Sequence, residues 1–325
     1  MLLEVNDLSY SREHKAILNK LTFEISAAKI TSILGANGSG KSTLLSLLTG
    51  LLDPSAGQII FKNKKVVGPS FKLIPGHQGI ALVRQDARLT PFATVRENLQ
   101  HVLRMYDAEG QEAKLNELSK LVGLDLLLDR VVKYLSGGEQ QRVAIAAALA
   151  SEPDLLLMDE PFSQSDVYLK QELKGYLTSI VEQLGISLLF VTHSPEDALA
   201  LSDTIMVLHE GKIIESGSPN ELYFKPKHQA TAFLTGHCNL LKSNPFGFNL
   251  HKIGNDFLVR PDQLVILKSE SENCLKSEIV KVEFNGFYEG FYLKIDGLHE
   301  LLYTTLSTSV SNPKVNEIVW LGLKN

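Results

Sequence analysis

Residues 35–42 read GANGSGKS, the GxxxxGK[ST] spacing whose glycines let backbone amides approach phosphate oxygens at a helix start. In that arrangement Lys41 reaches the β and γ phosphates and Ser42 offers a hydroxyl to Mg²⁺, while Gly35, Asn37, Gly38, Ser39, Gly40 and Thr43 complete the cradle. Further along, DLLLMDE ends an apolar run in two acids. Asp159 suits support of Mg²⁺. Glu160 suits a base that polarises water, an effect worth about 10²–10⁴ in rate. Paired acids after a strand also serve as helix caps, but here Pro161 follows and a phosphate loop shares the chain. His193 closes ISLLFVT; Ser194, Pro195 and Asp197 then supply an N-cap, a first-turn proline and a helix-stabilising acid. That fixes His193 at a strand-to-helix corner, where it could hydrogen-bond a γ phosphate.

A fourth segment, LSGGEQQ at 135–141, carries no obvious catalytic side chain. Its two glycines open a helix, where glycine costs about 1 kcal/mol in the interior. Ser136 and the amides of Gly137 and Gly138 would form an anion site there.

These segments need elements to hold them. Up to about residue 236, short apolar runs alternate with helical stretches, the pattern of a parallel sheet covered by helices. KITSIL, GIALVR, DLLLM and ISLLFVT each end in polar or glycine-rich residues. Ligands of open α/β sheets bind outside the carboxyl ends of strands, so these signals converge on one crevice. Residues 92–150 read as a helical subdomain: Thr94 and Glu97 form a capping-box pattern, Leu115, Leu118, Leu121 and Val122 share a face, and Gly123 stops the helix. From 237 to 325 the period changes to two. Val280, Val282 and Phe284 alternate with Lys281 and Glu283, and Phe291, Leu293 and Ile295 with Tyr292 and Lys294, so a small all-β domain is expected.

Composition narrows the class. Thirty-seven acids against thirty-two bases leave a formal charge of -5, without the basic footprint of a nucleic-acid binder. Cys238 and Cys274 fit neither a metal spacing nor a disulfide framework, which suits a reducing cytosol. No apolar run approaches the roughly 18 residues of a spanning helix, and Glu4 interrupts any signal-peptide pattern, so a membrane role would come through a partner.

In order, Tyr10 in LSYS, GANGSGKS, Gln85 in VRQD, LSGGEQQ, LLLMDE, SQSD at 163–166 and His193 in VTHS resemble the motifs of the ATPase subunit of ATP-binding-cassette (ABC) transporters. The resemblance implies an α/β P-loop NTPase fold and roles for residues that spacing alone leaves unassigned. Tyr10 would stack on adenine. Gln85 would touch Mg²⁺ or the attacking water, and sense a membrane permease docked on the segment that follows it. Asp166 would join two active sites, and His193 would contact the γ phosphate. Ser136, Gly137 and Gly138 would bind the ATP held by a second copy, giving a homodimer that sandwiches two nucleotides. Three residues depart from the family pattern: Glu139 stands for glutamine, Ala147 for a common arginine and Ser165 for a leucine.

The segment 237–325 resembles the OB-like, transport-associated (TOBE) domain of bacterial importer ATPases, through GHCNLL, VRPDQLVIL and VEFNGFYEGFYLKI. OB folds also bind oligonucleotides, but nine bases against ten acids make no positive groove here. Phe284, Phe287, Tyr288, Phe291 and Tyr292 fit barrel core and rim better than a ligand sensor. The resemblance thus implies an ATP- and Mg²⁺-dependent subunit, cytoplasmic and peripheral on the inner face of the membrane. It would serve a permease and a substrate-binding protein importing ferric iron, polyamine, sulfate or sugar. The rival is a non-transport ABC ATPase switching a nucleic-acid or ribosomal complex; paired cassettes, coiled-coil inserts or basic arms would mark it, and this sequence has none.

Overall fold

The structure is a computed structural model that describes all residues except 87–88, 164–165, 248–249, 272–273, 287, 297, 299, 308–312 and 325; Ser165 and Phe287 therefore lie outside the described residues. The chain divides into two compact units, Met1–Pro219 and Asn220–Asn325.

The first unit opens with β1 (Leu3–Arg12), β2 (Lys15–Ile25) and β3 (Ile30–Leu34), then α1 (Lys41–Leu48), β4 (Ala56–Phe61), β5 (Lys64–Lys65) and β6 (Ile80–Val83). The helical insert follows as α2 (Val95–Leu103), α3 (Ala108–Leu121) and α4 (Gly137–Leu149). The chain then returns through β7 (Leu155–Asp159), α5 (Val167–Leu184), β8 (Ser187–Thr192), α6 (Pro195–Leu201), β9 (Thr204–His209) and β10 (Lys212–Gly217). Two sheets result: an antiparallel one in the order β2-β1-β4-β5, and a six-stranded one in the order β10-β9-β3-β8-β7-β6. In the latter, β9, β3, β8, β7 and β6 run parallel.

The apolar runs become strands because burial on both faces leaves no room for alternation. All of β3 and β8 is buried, and all of β7 up to Asp159. The register sets Leu34 opposite Thr192, Asp159 opposite Val191 and Val83 opposite Met158, so the carboxyl ends line up along one edge. In the insert, the expected capping box is present at Thr94 and Glu97. Leu115, Leu118 and Val122 are buried, and Gly123, at φ 65°, follows the end of α3.

The second unit begins with α7 (Pro219–Phe224), of which only Pro219 falls in the first unit, and α8 (Gln229–Leu234). A three-stranded sheet holds β11 (Asn239–Leu241), β12 (His251–Ile253) and β13 (Asp256–Val259), with β13 central. A five-stranded antiparallel sheet holds β14 (Leu264–Leu267), β15 (Leu275–Phe284), β16 (Tyr288–Ile295), β17 (Leu302–Ser307) and β18 (Ile318–Leu323), in the order β14-β18-β15-β16-β17. Phe291, Leu293 and Ile295 point inward as their alternation requires. The partner strand departs from expectation. A bulge between Ile279 and Lys281 shifts the register, so Ile279 and not Val280 enters the core; beyond it Val282 packs against the core, and Phe284, at the end of the strand, is 73% exposed.

The division falls at Pro219, not after Gly236, because one side chain gathers residues 223–237 onto the β unit. Arg260 is fully buried. Its guanidinium donates to the carbonyls of Tyr223 (2.8 Å), Ala232 (2.9 Å), Gly236 and His237 (both 3.1 Å) and to Thr235 Oγ1 (2.8 Å). It also lies 4.2 Å from the Tyr223 ring centroid. Truncation would strand these carbonyls. Arg260→Ala is expected to cost about 3 kcal/mol. The only tryptophan, Trp320, lies on β18, so its fluorescence during urea unfolding of the full chain reads this unit; an unmoved transition midpoint would refute the assignment.

Candidate functional site

The phosphate loop lies between β3 and α1, at the aligned edge. Gly38 (φ 80°) and Gly40 (φ 102°) take left-handed conformations that side chains disfavour. Gly35 admits no side chain for another reason: a Cβ there would lie 2.5 Å from the Leu208 carbonyl oxygen and 2.8 Å from Ser39 Oγ. Lys41 opens α1 and is 6% exposed. Its Nζ donates to the carbonyls of Gly35 (2.8 Å) and Ala36 (3.1 Å) and stands 3.7 Å from Glu160 Oε1. Burial pulls the Lys41 pKa below its ordinary value, against the opposing pull of Glu160.

The acids sit at the end of β7. Ser42 Oγ donates to Asp159 Oδ1 at 3.1 Å. Burial raises the Asp159 pKa above the ordinary carboxylate value; the Ser42 hydroxyl opposes this and the neighbouring Glu160 charge adds to it. Glu160 turns out of the strand at φ 46°, and its N–H donates to the Val191 carbonyl at 3.1 Å. The His193 ring meets it, Nδ1 to Oε2, at 3.1 Å. Gln85 Nε2 donates to Ser163 Oγ (3.2 Å), which donates to the Glu160 carbonyl (2.9 Å), so the turn after β6 is tied to the turn after β7.

A cleft of about 590 Å³ covers the loop, lined by Asn37 through Thr43, Glu160, Lys15 to Ile17 of β2, and Glu210 and Gly211 of the β9–β10 turn. The expected loop residues and Glu160 are thus brought together, and His193 joins them through Glu160. Tyr10 does not join them. It shares a face of β1 with Leu8 and packs half-buried on the apolar core, while β2 forms the rim. The rim residues escape a sequence reading: HEGK shows a hairpin turn, at Glu210 (φ 48°) and Gly211 (φ 72°), but only the placement of β9 beside β3 carries it to the loop.

Ser136, Gly137 and Gly138 line no part of this cleft. Ser136 caps α4, and its Oγ accepts from the Glu139 N–H at 3.3 Å, while the Glu139 carboxylate accepts from the Ser136 N–H at 2.7 Å. The departure to Glu139 therefore makes a reciprocal capping box, legible as S-x-x-E but not anticipated. With Oγ serving as acceptor, the Ser136 hydroxyl keeps its own proton for donation to another group. Asp166 caps α5, accepting from the Leu169 N–H at 2.9 Å. Ala147, with Ala144 and Ala148, lines a second cleft of about 670 Å³ beside Arg84 and Thr90.

The donors fit a nucleotide. Ser39 Oγ is buried in the loop with no protein partner, and a hydroxyl and a carboxylate meet at Ser42 and Asp159, the hard oxygen set that Mg²⁺ takes alongside phosphate oxygens. The raised Asp159 value gives a prediction. Because the folded state holds this proton to higher pH than the unfolded chain, the cost of ionised Asp159 is absent at low pH and grows as pH rises through the folded value. Asp159→Asn, which keeps an acceptor for Ser42, is expected to raise the thermal midpoint at pH 7 and lose that gain towards about pH 4. A gain independent of pH in melts across this range would refute it.

Comparison with known proteins gives the family. Residues 18–163 match the family model described as ABC transporter. The chain is 32% identical to the Fe(3+) ions import ATP-binding protein FbpC of Haemophilus influenzae (strain 86-028NP), over 95% of this chain and 94% of that protein. It is equally 32% identical to the spermidine/putrescine import ATP-binding protein PotA of Clostridioides difficile (strain 630), over 95% and 93%. Among solved structures, cbiO1 from Clostridium perfringens, part of the ABC transporter complex cbiONQ, superposes with a TM-score of 0.63 at 31% identity, over 68% of this chain and 90% of that one. The ATP-binding cassette MJ0796, solved as a dimer in a post-hydrolysis state with ADP and Pi, gives 0.58 at 26%, over 67% and 99%. A phosphate loop, a strand-end acid pair and a bare helix start, on a chain that matches importer ATP-binding proteins over nearly its whole length, place it in the ABC transporter family as an ATP-hydrolysing member.

Proposed function

We propose that this chain powers substrate uptake as a homodimer that closes on two MgATP molecules and reopens after hydrolysis, bound to permease subunits at the inner face of a membrane. One observation carries the reading: Lys41, Ser42 and Glu160 line one cleft, with Asp159 bonded to Ser42 and His193 to Glu160, while the second glycine-rich helix start, at Ser136, lines no part of it. A second copy can supply the missing half. Among the described residues no helix is long and apolar enough to cross a membrane, so the path for cargo belongs to partner subunits. The second cleft, beside the Gln85 turn, supports permease docking there. Cargo is chosen by those partners and a substrate-binding protein, and the relatives named for ferric iron and for spermidine/putrescine favour one of these two classes. The segment 237–325 serves as the OB-like (TOBE) domain, with residues 220–236 packed as part of the same unit.

The chemistry follows from the site. Glu160, held by its strained backbone and the Val191 carbonyl, orients a water for in-line attack on the γ phosphate and polarises it. The pair with His193 keeps that carboxylate from turning away and places the imidazole at the same phosphate. Lys41 and the loop amides of Gly38 to Thr43 hold the spreading negative charge, and burial strengthens the Lys41 interaction. Ser42 and Asp159, with Gln85, would hold Mg²⁺, which neutralises phosphate oxygens when bound. Ser136 and Gly138 of the second copy complete the shell.

Two measurements test this. Glu160→Gln is expected to bind ATP, to turn it over about 10²–10⁴-fold more slowly and to accumulate as a dimer on size-exclusion chromatography with ATP; near-normal turnover would refute the assignment. Ser136→Arg is expected to leave nucleotide affinity of the single chain within about twofold while cutting dimeric turnover by roughly 10² or more. Unchanged turnover would show that the helix start has another role.

A further inference from the structure

Lys174 on α5 touches groups that leave the sheet from two different strands. Its Nζ lies 2.9 Å from Asp197 Oδ1, in the first turn of α6. It also sits over the Phe162 ring, 5.5 Å from the centroid. Asp197 follows His193 by four residues, and Phe162 follows Glu160 by two. Both contacts are anchored. Phe162 is 2% exposed and meets Phe190 of β8 edge to face, with centroids 5.7 Å apart. Asp197 is 4% exposed, and its N–H donates to the Ser194 cap at 3.2 Å.

A carboxylate buried this deeply requires a cation. Lys170, one turn earlier, stands 3.8 Å from Asp197 Oδ2, so Lys174 makes the closer contact. The seven residues of α6 are too few to orient themselves by helix propensity, and tertiary ties must do so. The aromatic face under Lys174 adds a second hold on the same ammonium. One cation thus fixes the exit of β7 relative to the exit of β8, and those exits carry Glu160 and His193.

We propose that Lys174 is a positioning residue for ATP hydrolysis: through Asp197 and Phe162 it sets the 3.1 Å approach of His193 Nδ1 to Glu160 Oε2. Lys174 does not line the cleft and touches no reacting group. The inference rests on the roles given above to Glu160 and His193. A plain tether would lower stability and leave the turnover of folded protein unchanged, whereas a positioning group changes kcat with little effect on KM.

The test compares the full-length parent with Asp197→Asn, Lys174→Met and Lys174→Arg, measuring kcat and KM for ATP and the thermal midpoint of each. Asp197→Asn and Lys174→Met are expected to lower kcat roughly tenfold, with KM within about twofold, because small misplacements of reacting groups are costly. Lys174→Arg keeps the charge and is expected to recover at least about half of the parent kcat. Combining Asp197→Asn with Lys174→Met is expected to be no slower than the slower single variant, since both break one link. If Lys174→Met fails to fold, Asp197→Asn decides alone, because it removes the charge without stranding a buried anion. A folded Asp197→Asn protein with kcat within about twofold of the parent overturns the inference. Glu160→Gln, assayed in parallel, separates the two levels: if it abolishes turnover while Asp197→Asn does not, only the positioning role fails. If Glu160→Gln turns over normally, the proposed function fails with it.

Discussion

The site hangs from the register of one parallel ladder. Because Leu34 lies opposite Thr192 and Asp159 opposite Val191, three strands end within a residue of one another, and each releases its next residue into the same crevice. Two further backbone bonds extend the ladder past the strands: Gly35 N–H to the Thr192 carbonyl, and Glu160 N–H to the Val191 carbonyl. A slip of one residue would turn every side chain to the other face and part Lys41 from Glu160. Full burial of β3 and β8 prevents such a slip, since any shifted register would carry polar strand-end residues into the apolar layers. Core packing and catalytic geometry are therefore one constraint seen from two sides.

This explains why the sequence was so readable at the phosphate loop and less so elsewhere. A continuous apolar run that stops at GANGSGKS or at Asp159 announces its strand, its end and its chemistry together. What could not be read depends on contacts between distant segments. Tyr10 carries an aromatic ring near the right place in the chain, but the pairing of β1 with β2 turns that face to the core and gives the rim to Lys15, Ala16 and Ile17. The unit boundary moved to Pro219 because Arg260 collects carbonyls from 223 to 237, a link no local pattern signals. In β15 one bulged residue was enough to put Ile279 where alternation expected Val280. The capping box at Ser136 and Glu139 is the opposite case: its spacing was in plain view, and the acid that looked like a departure from a motif is a local structural device.

The electrostatics of the cleft give the incomplete site its logic. Lys41 and Asp159 are both displaced by burial towards their neutral forms, and their mutual proximity to Glu160 does not relieve both: it favours the lysine's charge and opposes the aspartate's. On the proposed reading a triphosphate would compensate Lys41 and a divalent cation Asp159, so that a fold strained at this edge alone would be relaxed by the complete MgATP set and its binding energy returned as stability. The same argument applies at Ser136. A helix start with an exposed cap hydroxyl and a glycine first turn gains most from a full negative charge, and none of its own chain's cleft reaches it. On the proposed reading, phosphate held at Lys41 of one copy is the charge that the helix start of the other requires. Closure of two copies then depends on nucleotide, and cleavage of the γ phosphate removes the charge that both halves share.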